Sequence, residues 1–301
     1  MVMFLEDPVT GDVPHRGLVE EEDEQRAAEV APQYGAAPEV QWRGSPILDT
    51  AVVFLIGQAA CLLVDAFFPG TQPAGAITVA ELVRVRSPLE EEYGAVHKPV
   101  HTCSLRSLAS AGAGGPTLLA ACPRELPPEQ AGAWARGVLA ALRPRRLLAV
   151  ATLPAMDYRG PGSPAEEDLV YALRTQAAAD AWEAAAGNSS RRDSIRVSGR
   201  ILPASPELPI GTLVGGLPAA LLTDCELAGV PAALVVGVQQ QQVPDGPFLL
   251  SLGQGMRASL AGLGCEEVAA AAEAGGKRPA AEVAAAANAA YRSSASASIF
   301  A

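Results

Sequence analysis

Residues 51–68 read AVVFLIGQAACLLVDAFF. The first six, Ala51 to Ile56, are a continuous apolar run rich in β-branched side chains, which suits a strand buried on both faces. Gly57-Gln58 then turns the chain, Ala59 to Phe68 has helical composition, and Pro69-Gly70 stops it. A doubly buried strand followed at once by a helix is the unit from which layered α/β sheets are built. The Gly57-Gln58 break and Asp65 argue against a membrane span over the same stretch.

The unit recurs along the chain. Ile77–Val85, Thr117–Cys122 (TLLAAC), Leu147–Thr152 (LLAVAT), the short Thr212–Val214 and Pro231–Val238 (PAALVVGV) read as strands. A helix from Pro127 to Leu142 places Trp134, Val138 and Leu142 on one stripe. Ser163-Pro164-Ala165-Glu166 has the form of a capping box, predicting a helix from there to about Ala186. Leu217–Ala228, closed by Gly229, and Phe248–Leu263 complete the helices. The expectation is one α/β domain over residues 46–265, with a central, mostly parallel sheet and helices on both faces. Residues 86–115 and 187–205 read as surface insertions, and 1–45 as a disordered acidic tail. Residues 266–301 read as an alanine-rich segment leading into a flexible C-terminal arm.

The chain has 301 residues, 49% apolar and 18% charged, and alanine supplies about a fifth of them. That is enough to bury one sizeable core. The formal charge is −11, of which residues 1–24 carry −7, so the body is nearly neutral. This balance argues against nucleic acid or an anionic membrane as partner. Five cysteines, with no C-x-x-C pair, predict neither a metal motif nor a disulfide framework. Acids follow the apolar start MVMF with no signal-peptide core. A reducing, cytoplasmic setting is expected, with the nucleus as a second compartment.

The histidines are His15 in the acidic tail and His97 and His101 in the expected insertion, the last two separated by Pro99, which disfavours a helical metal pair. Gly211-x-x-x-Gly215-Gly216 lacks the Lys-Ser/Thr of a phosphate loop, and Leu217-Pro218 follow instead. It reads as a tight turn into a helix. Asp157-Tyr158-Arg159 follows a strand at the edge where ligands often bind, and reads either as an anion contact or as a polar junction whose groups are satisfied. The arginine groups 143/145/146 and 191/192 lack interleaved aromatics and read as solvated faces. A nucleoside- or ester-cleaving hydrolase would need a base for Asp157 or Asp224, and the folded blocks hold no histidine. No cofactor is expected. The absence of an acid–base pair and of a phosphate loop favours a recognition body over an enzyme.

Four segments in order, VVFLIGQAACLLVDAFF, RRLLAVATLPAMDYRG, EEDLVYALRTQ and LPAALLTDCELAGVPAALVV, together resemble the proteasome assembly chaperone 1 family. The most specific is Leu217 to Cys225 followed by Val230-Pro231-Ala232; Asp157-Tyr158 and Leu173-x-Thr175-Gln176 add to it. The resemblance covers about residues 46–265 with gaps. It implies an α/β fold and a non-enzymatic chaperone that pairs with proteasome assembly chaperone 2. The pair would promote α-ring formation and prevent off-pathway α-ring association. It also implies a C-terminal hydrophobic–tyrosine–any tripeptide that docks between proteasome α subunits, its carboxylate meeting a lysine. Here Ile299 stands at the hydrophobic position, Phe300 where tyrosine is usual, and Ala301 at the carboxylate. Leu217, Ala220, Leu221 and Cys225 read as core rather than interface.

Overall fold

The computed structural model describes residues 38–79, 100–109, 115–124, 126, 128–186, 194–197, 200–203, 205–241, 244–275, 282 and 285. Its strands are β1 (Glu39–Trp42), β2 (Ala51–Ile56), β3 (Gln72–Val79), β4 (Val100–Leu108), β5 (Thr117–Cys122), β6 (Arg146–Pro154), β7 (Val170–Arg174), β8 (Ser194–Val197), β9 (Arg200–Pro203) and β10 (Ala232–Gln239). The helices are α1 (Gln58–Phe67), α2 (Pro128–Leu142), α3 (Gln176–Ala186), α4 (Gly216–Leu227), α5 (Gly246–Gly262) and α6 (Glu266–Gly275).

Eight strands form one sheet in the order β1-β3-β4-β5-β2-β6-β10-β7, and β8 and β9 form a separate antiparallel pair. β2 sits in the middle, so the apolar run AVVFLI has a strand on each side and a helical layer on each face. Val52, Phe54 and Ile56 point into one core, where the Phe54 ring meets Trp134 of α2 edge-on at 6.2 Å. That core is closed by α2 and by Leu217, Leu221 and Cys225 of α4. Val53 and Leu55 point into the other, beneath α1, α5 and α6. The alternation is the period-2 rule applied to a strand with two dry faces. Gly57 makes the turn out of β2 at φ 85°, a conformation that disfavours any Cβ, and its amide bonds Cys122 O at 2.9 Å.

The α/β class and the helices on both faces hold, but the sheet is mixed rather than mostly parallel. β5-β2-β6-β10 run parallel, while β1, β3 and β4 on one side and β7 on the other pair antiparallel. The antiparallel wing arises because β3 and β4 pair directly, and β4 lies inside the stretch expected to be a surface insertion. β4 alternates, with Cys103 and Leu105 turned into the core and Arg106 turned out to Asp65 of α1 at 2.7 Å. Pairing also starts within the expected tail, at Glu39 opposite Thr78.

The predicted helix from Ser163 is not formed. Ser163 closes a turn with the amides of Glu166 and Glu167, and Val170–Arg174 pairs antiparallel with β10 as the sheet's edge strand. The helix begins at Gln176, capped by Thr175, whose Oγ1 accepts the Ala178 amide at 3.2 Å. Residues 212–214 form a loop rather than a strand. At the other end α6 buries Val268, Ala269 and Ala272 in the second core. Cys103 and Cys122, on neighbouring antiparallel strands, form a disulfide. The sequence, read as lacking a disulfide framework, did not anticipate this bond.

Candidate functional site

The parallel strands β2, β6 and β10 end on one edge of the sheet, the edge on which open α/β sheets place their binding residues. β6 runs out at Pro154 into one turn of 3-10 helix, Ala155–Asp157. Tyr158 then folds back into the core and stacks on Tyr171 of β7, ring centroids 5.6 Å apart. The two hydroxyls bond each other, and Tyr158 also donates to Pro161 O at 2.5 Å. Burial, with the Tyr158 hydroxyl beside it, holds the Tyr171 phenol well above its ordinary range.

A second loop lies against this turn. Residues 205–207 run along the outer edge of β7, where the Ala172 amide donates to Pro206 O at 2.8 Å. The chain then turns at Gly211, with the Thr212 amide bonded to Pro209 O. The loops join where the Arg159 amide donates to Thr212 Oγ1 at 3.0 Å. Gly160 permits the approach, since a Cβ there would fall 2.3 Å from the Tyr158 hydroxyl and 2.5 Å from Pro209. The Arg159 guanidinium reaches back to Met156 O at 2.5 Å and Tyr158 O at 3.1 Å. Asp157-Tyr158-Arg159 is thus a polar junction whose Tyr and Arg close their own turn.

What these loops present is apolar. Met156 is 76% exposed, Leu213 81%, and Ile210 fully so. These are the large apolar side chains that the two loops hold out to solvent. On the same edge a hollow of about 350 Å³ is lined by Glu166, Glu167, Asp168, Asp245 and Gln239–Gln241. Two of its acids have structural work: Asp245 accepts the Phe248 amide at the start of α5, and Asp168 accepts from Ser251 Oγ at 2.9 Å.

The two carboxylates weighed as acid–base groups stand apart, and His101, expected in a surface insertion, lies instead in β4 opposite Thr78. Asp157 follows β6 at this edge, whereas Asp224 lies near the end of α4, where the chain enters β10 at the opposite edge. Cys225 is buried, its thiol pushed up to about 12 by that burial, the reverse of what a nucleophilic thiol requires. Leu217, Leu221 and Cys225 are core, with Ala220 packed against it. Gly215 and Gly216 open α4. Among the described residues no three His, Cys, Asp or Glu side chains gather as a metal site, and no helix is long and apolar enough to cross a membrane. Ile299, Phe300 and Ala301 lie outside the described residues, as do His15 and His97.

No family model and no curated protein matches the sequence. Solved structures match the fold. The chain superposes on Pyrococcus furiosus PbaB, described as an archaeal proteasome activator, with a TM-score of 0.50 at 12% identity, over 75% of this chain and 88% of that one. The chain shares the fold of PbaB. P. furiosus PbaA, an archaeal homologue of proteasome-assembly chaperone, aligns over 74% of this chain and 86% of its own at 11% identity and a TM-score of 0.45. The Mycobacterium tuberculosis proteasome-assembly chaperone homologue Rv2125 aligns over 82% and 94% at 14% identity and a TM-score of 0.42.

Proposed function

We propose that the chain is a non-enzymatic chaperone of proteasome core-particle assembly. In this reading it pairs with proteasome assembly chaperone 2, promotes α-ring formation and prevents off-pathway α-ring association, in the cytoplasm and the nucleus. Ile299, Phe300 and Ala301 dock between neighbouring α subunits, the aliphatic and aromatic side chains entering a pocket and the terminal carboxylate meeting a lysine. Phe300 lacks the hydroxyl of the usual tyrosine, which lowers affinity by one hydrogen bond, about 1 kcal/mol.

The observation that carries the proposal is the fold shared with PbaB, a protein described as a proteasome activator. The four segments that resemble the chaperone family supply β2, α1, β6, β7, α4 and β10, the middle and one flank of that fold. The exposed Met156, Ile210 and Leu213 support a role in binding. Co-expression with proteasome assembly chaperone 2 tests the pairing. A stoichiometric complex that survives gel filtration, and that Ile210→Asp with Leu213→Asp dissociates, is the expected result. Two separate monomeric peaks contradict it.

A further inference from the structure

A second surface lies on the opposite edge of the sheet, where β2, β6 and β10 begin. The C-terminal ends of α2 and α4 border a groove of about 660 Å³. Its apolar part is Leu139, Leu227 and Val230, with Leu227 81% exposed, and Arg136, Arg143 and Arg145 also line it. None of the three arginines has an ion-pair partner among the described residues. Asp49 and Asp224 line the groove too, leaving a surplus of one positive charge.

The backbone singles out the same place. Among the described residues two non-glycines have left-handed φ, Asp49 at 52° and Arg143 at 48°, and both line this groove. Arg143 follows the last residue of α2 and its amide bonds Leu139 O at 2.8 Å, so it stands where helices are usually closed by glycine. Glycine would take this conformation without the Cβ penalty. The arginine that stands here instead keeps a guanidinium at the groove.

We propose that this groove docks an acidic amphipathic segment of a partner protein. A leucine-type side chain packs on Leu139, Leu227 and Val230, and neighbouring carboxylates take the guanidiniums of Arg143, Arg136 and Arg145. Guanidinium forks match carboxylates in pairs, and an apolar anchor beside an arginine is the usual composition of an interface centre. The proposal rests on this groove alone and does not depend on the proteasome reading.

The test uses the full chain and a fluorescein-labelled helical peptide with leucines on one face and glutamates beside them, against the same peptide with glutamine for glutamate. Fluorescence anisotropy is expected to show the glutamate peptide binding roughly fivefold tighter or more, with affinity falling as salt rises. Arg143→Gly and Leu227→Asp each remove roughly fivefold or more of that affinity. Arg143→Gly at the same time raises the melting temperature, so its loss of binding is not a loss of fold. Equal affinity for both peptides, indifference to both substitutions, or no binding of either peptide overturns the proposal. Self-association of the chain that Leu227→Asp abolishes also overturns it, reassigning the groove to a second copy.

Discussion

The hydroxyls of Tyr158 and Tyr171 bond each other at the side of two stacked rings, tying the turn after β6 to the edge strand β7. Both rings are buried, and the loop they hold carries Met156 at the surface. Because burial and the neighbouring hydroxyl raise the Tyr171 phenol, the folded chain keeps a proton that the unfolded chain releases near pH 10. This contribution is complete below about pH 10 and declines as pH rises beyond it, by up to roughly 1.4 kcal/mol per pH unit. Urea unfolding between pH 9 and 11.5 should show the decline, and Tyr171→Phe should make it shallower. Equal slopes for the two proteins would remove the pair from this account.

Thr175 connects three elements through one buried hydroxyl. Its Oγ1 lies 3.2 Å from both Val230 O and Ala232 O, and accepts the amides of Ala178 at 3.2 Å and Ala232 at 2.9 Å. Thr175→Val keeps the shape and leaves buried amides without this acceptor, at a cost of about 1–3 kcal/mol. Thr175→Ser should restore most of it. Denaturant midpoints with an unchanged slope measure the difference, and a valine variant as stable as the parent contradicts the role.

The α6 helix sets a further expectation. Val268, Ala269 and Ala272 are buried against the second core, beside residues of α1 and α5. Ending the chain after residue 265 should therefore lower the melting temperature by several degrees relative to ending it after 275, through the apolar area left uncovered. Coincident melting curves would show that α6 contributes nothing to the domain.

The cysteines give a chemical readout. Burial pushes the thiols of Cys61 and Cys225 up to about 12 and raises that of Cys265, while Cys103 and Cys122 are joined. At pH 8 a thiol reagent should label the native chain slowly, and in denaturant it should label three cysteines without reductant and five with it. Mass spectrometry counts the adducts. Five adducts without reductant would contradict the disulfide.

The sequence was most legible where one strand carries its whole environment. Ala51–Ile56 and Thr117–Cys122 form strands with the predicted bounds, because a short apolar run leaves few alternatives to burial on both faces. Val170–Arg174 reads as helix for the opposite reason. Its alanine and leucine, behind Ser163-Pro164-Ala165-Glu166, satisfy local helical rules, and only pairing with β10 and the cover of residues 205–207 make it a strand. β4 is hard to read in sequence because Ser104, Arg106 and Ser107 interrupt its apolar residues and small residues follow it. The Cys103–Cys122 bond depends on strand register between β4 and β5, which no spacing in the sequence records. At the candidate surface, Asp157-Tyr158-Arg159 could be picked out as a strand end. Ile210 and Leu213 could not, since an exposed apolar residue in a loop and a buried one in a strand look alike in sequence. In sequence Arg143 reads as part of a solvated cluster, and its left-handed backbone is visible only in the fold.

Docking of Ile299, Phe300 and Ala301 between proteasome α subunits is the proposal on which the reading of function turns. Its most direct test titrates purified α-ring assembly intermediates with the N-terminally tagged full-length chain, paired with proteasome assembly chaperone 2. The same titration is then made with the chain lacking Ile299, Phe300 and Ala301. The account predicts saturable binding that the truncation weakens at least tenfold, with the pairing between the two chaperones intact, and that Phe300→Tyr strengthens. Saturable binding of equal affinity with and without the tripeptide would contradict the docking role, and no binding by either form would contradict the assignment to proteasome assembly.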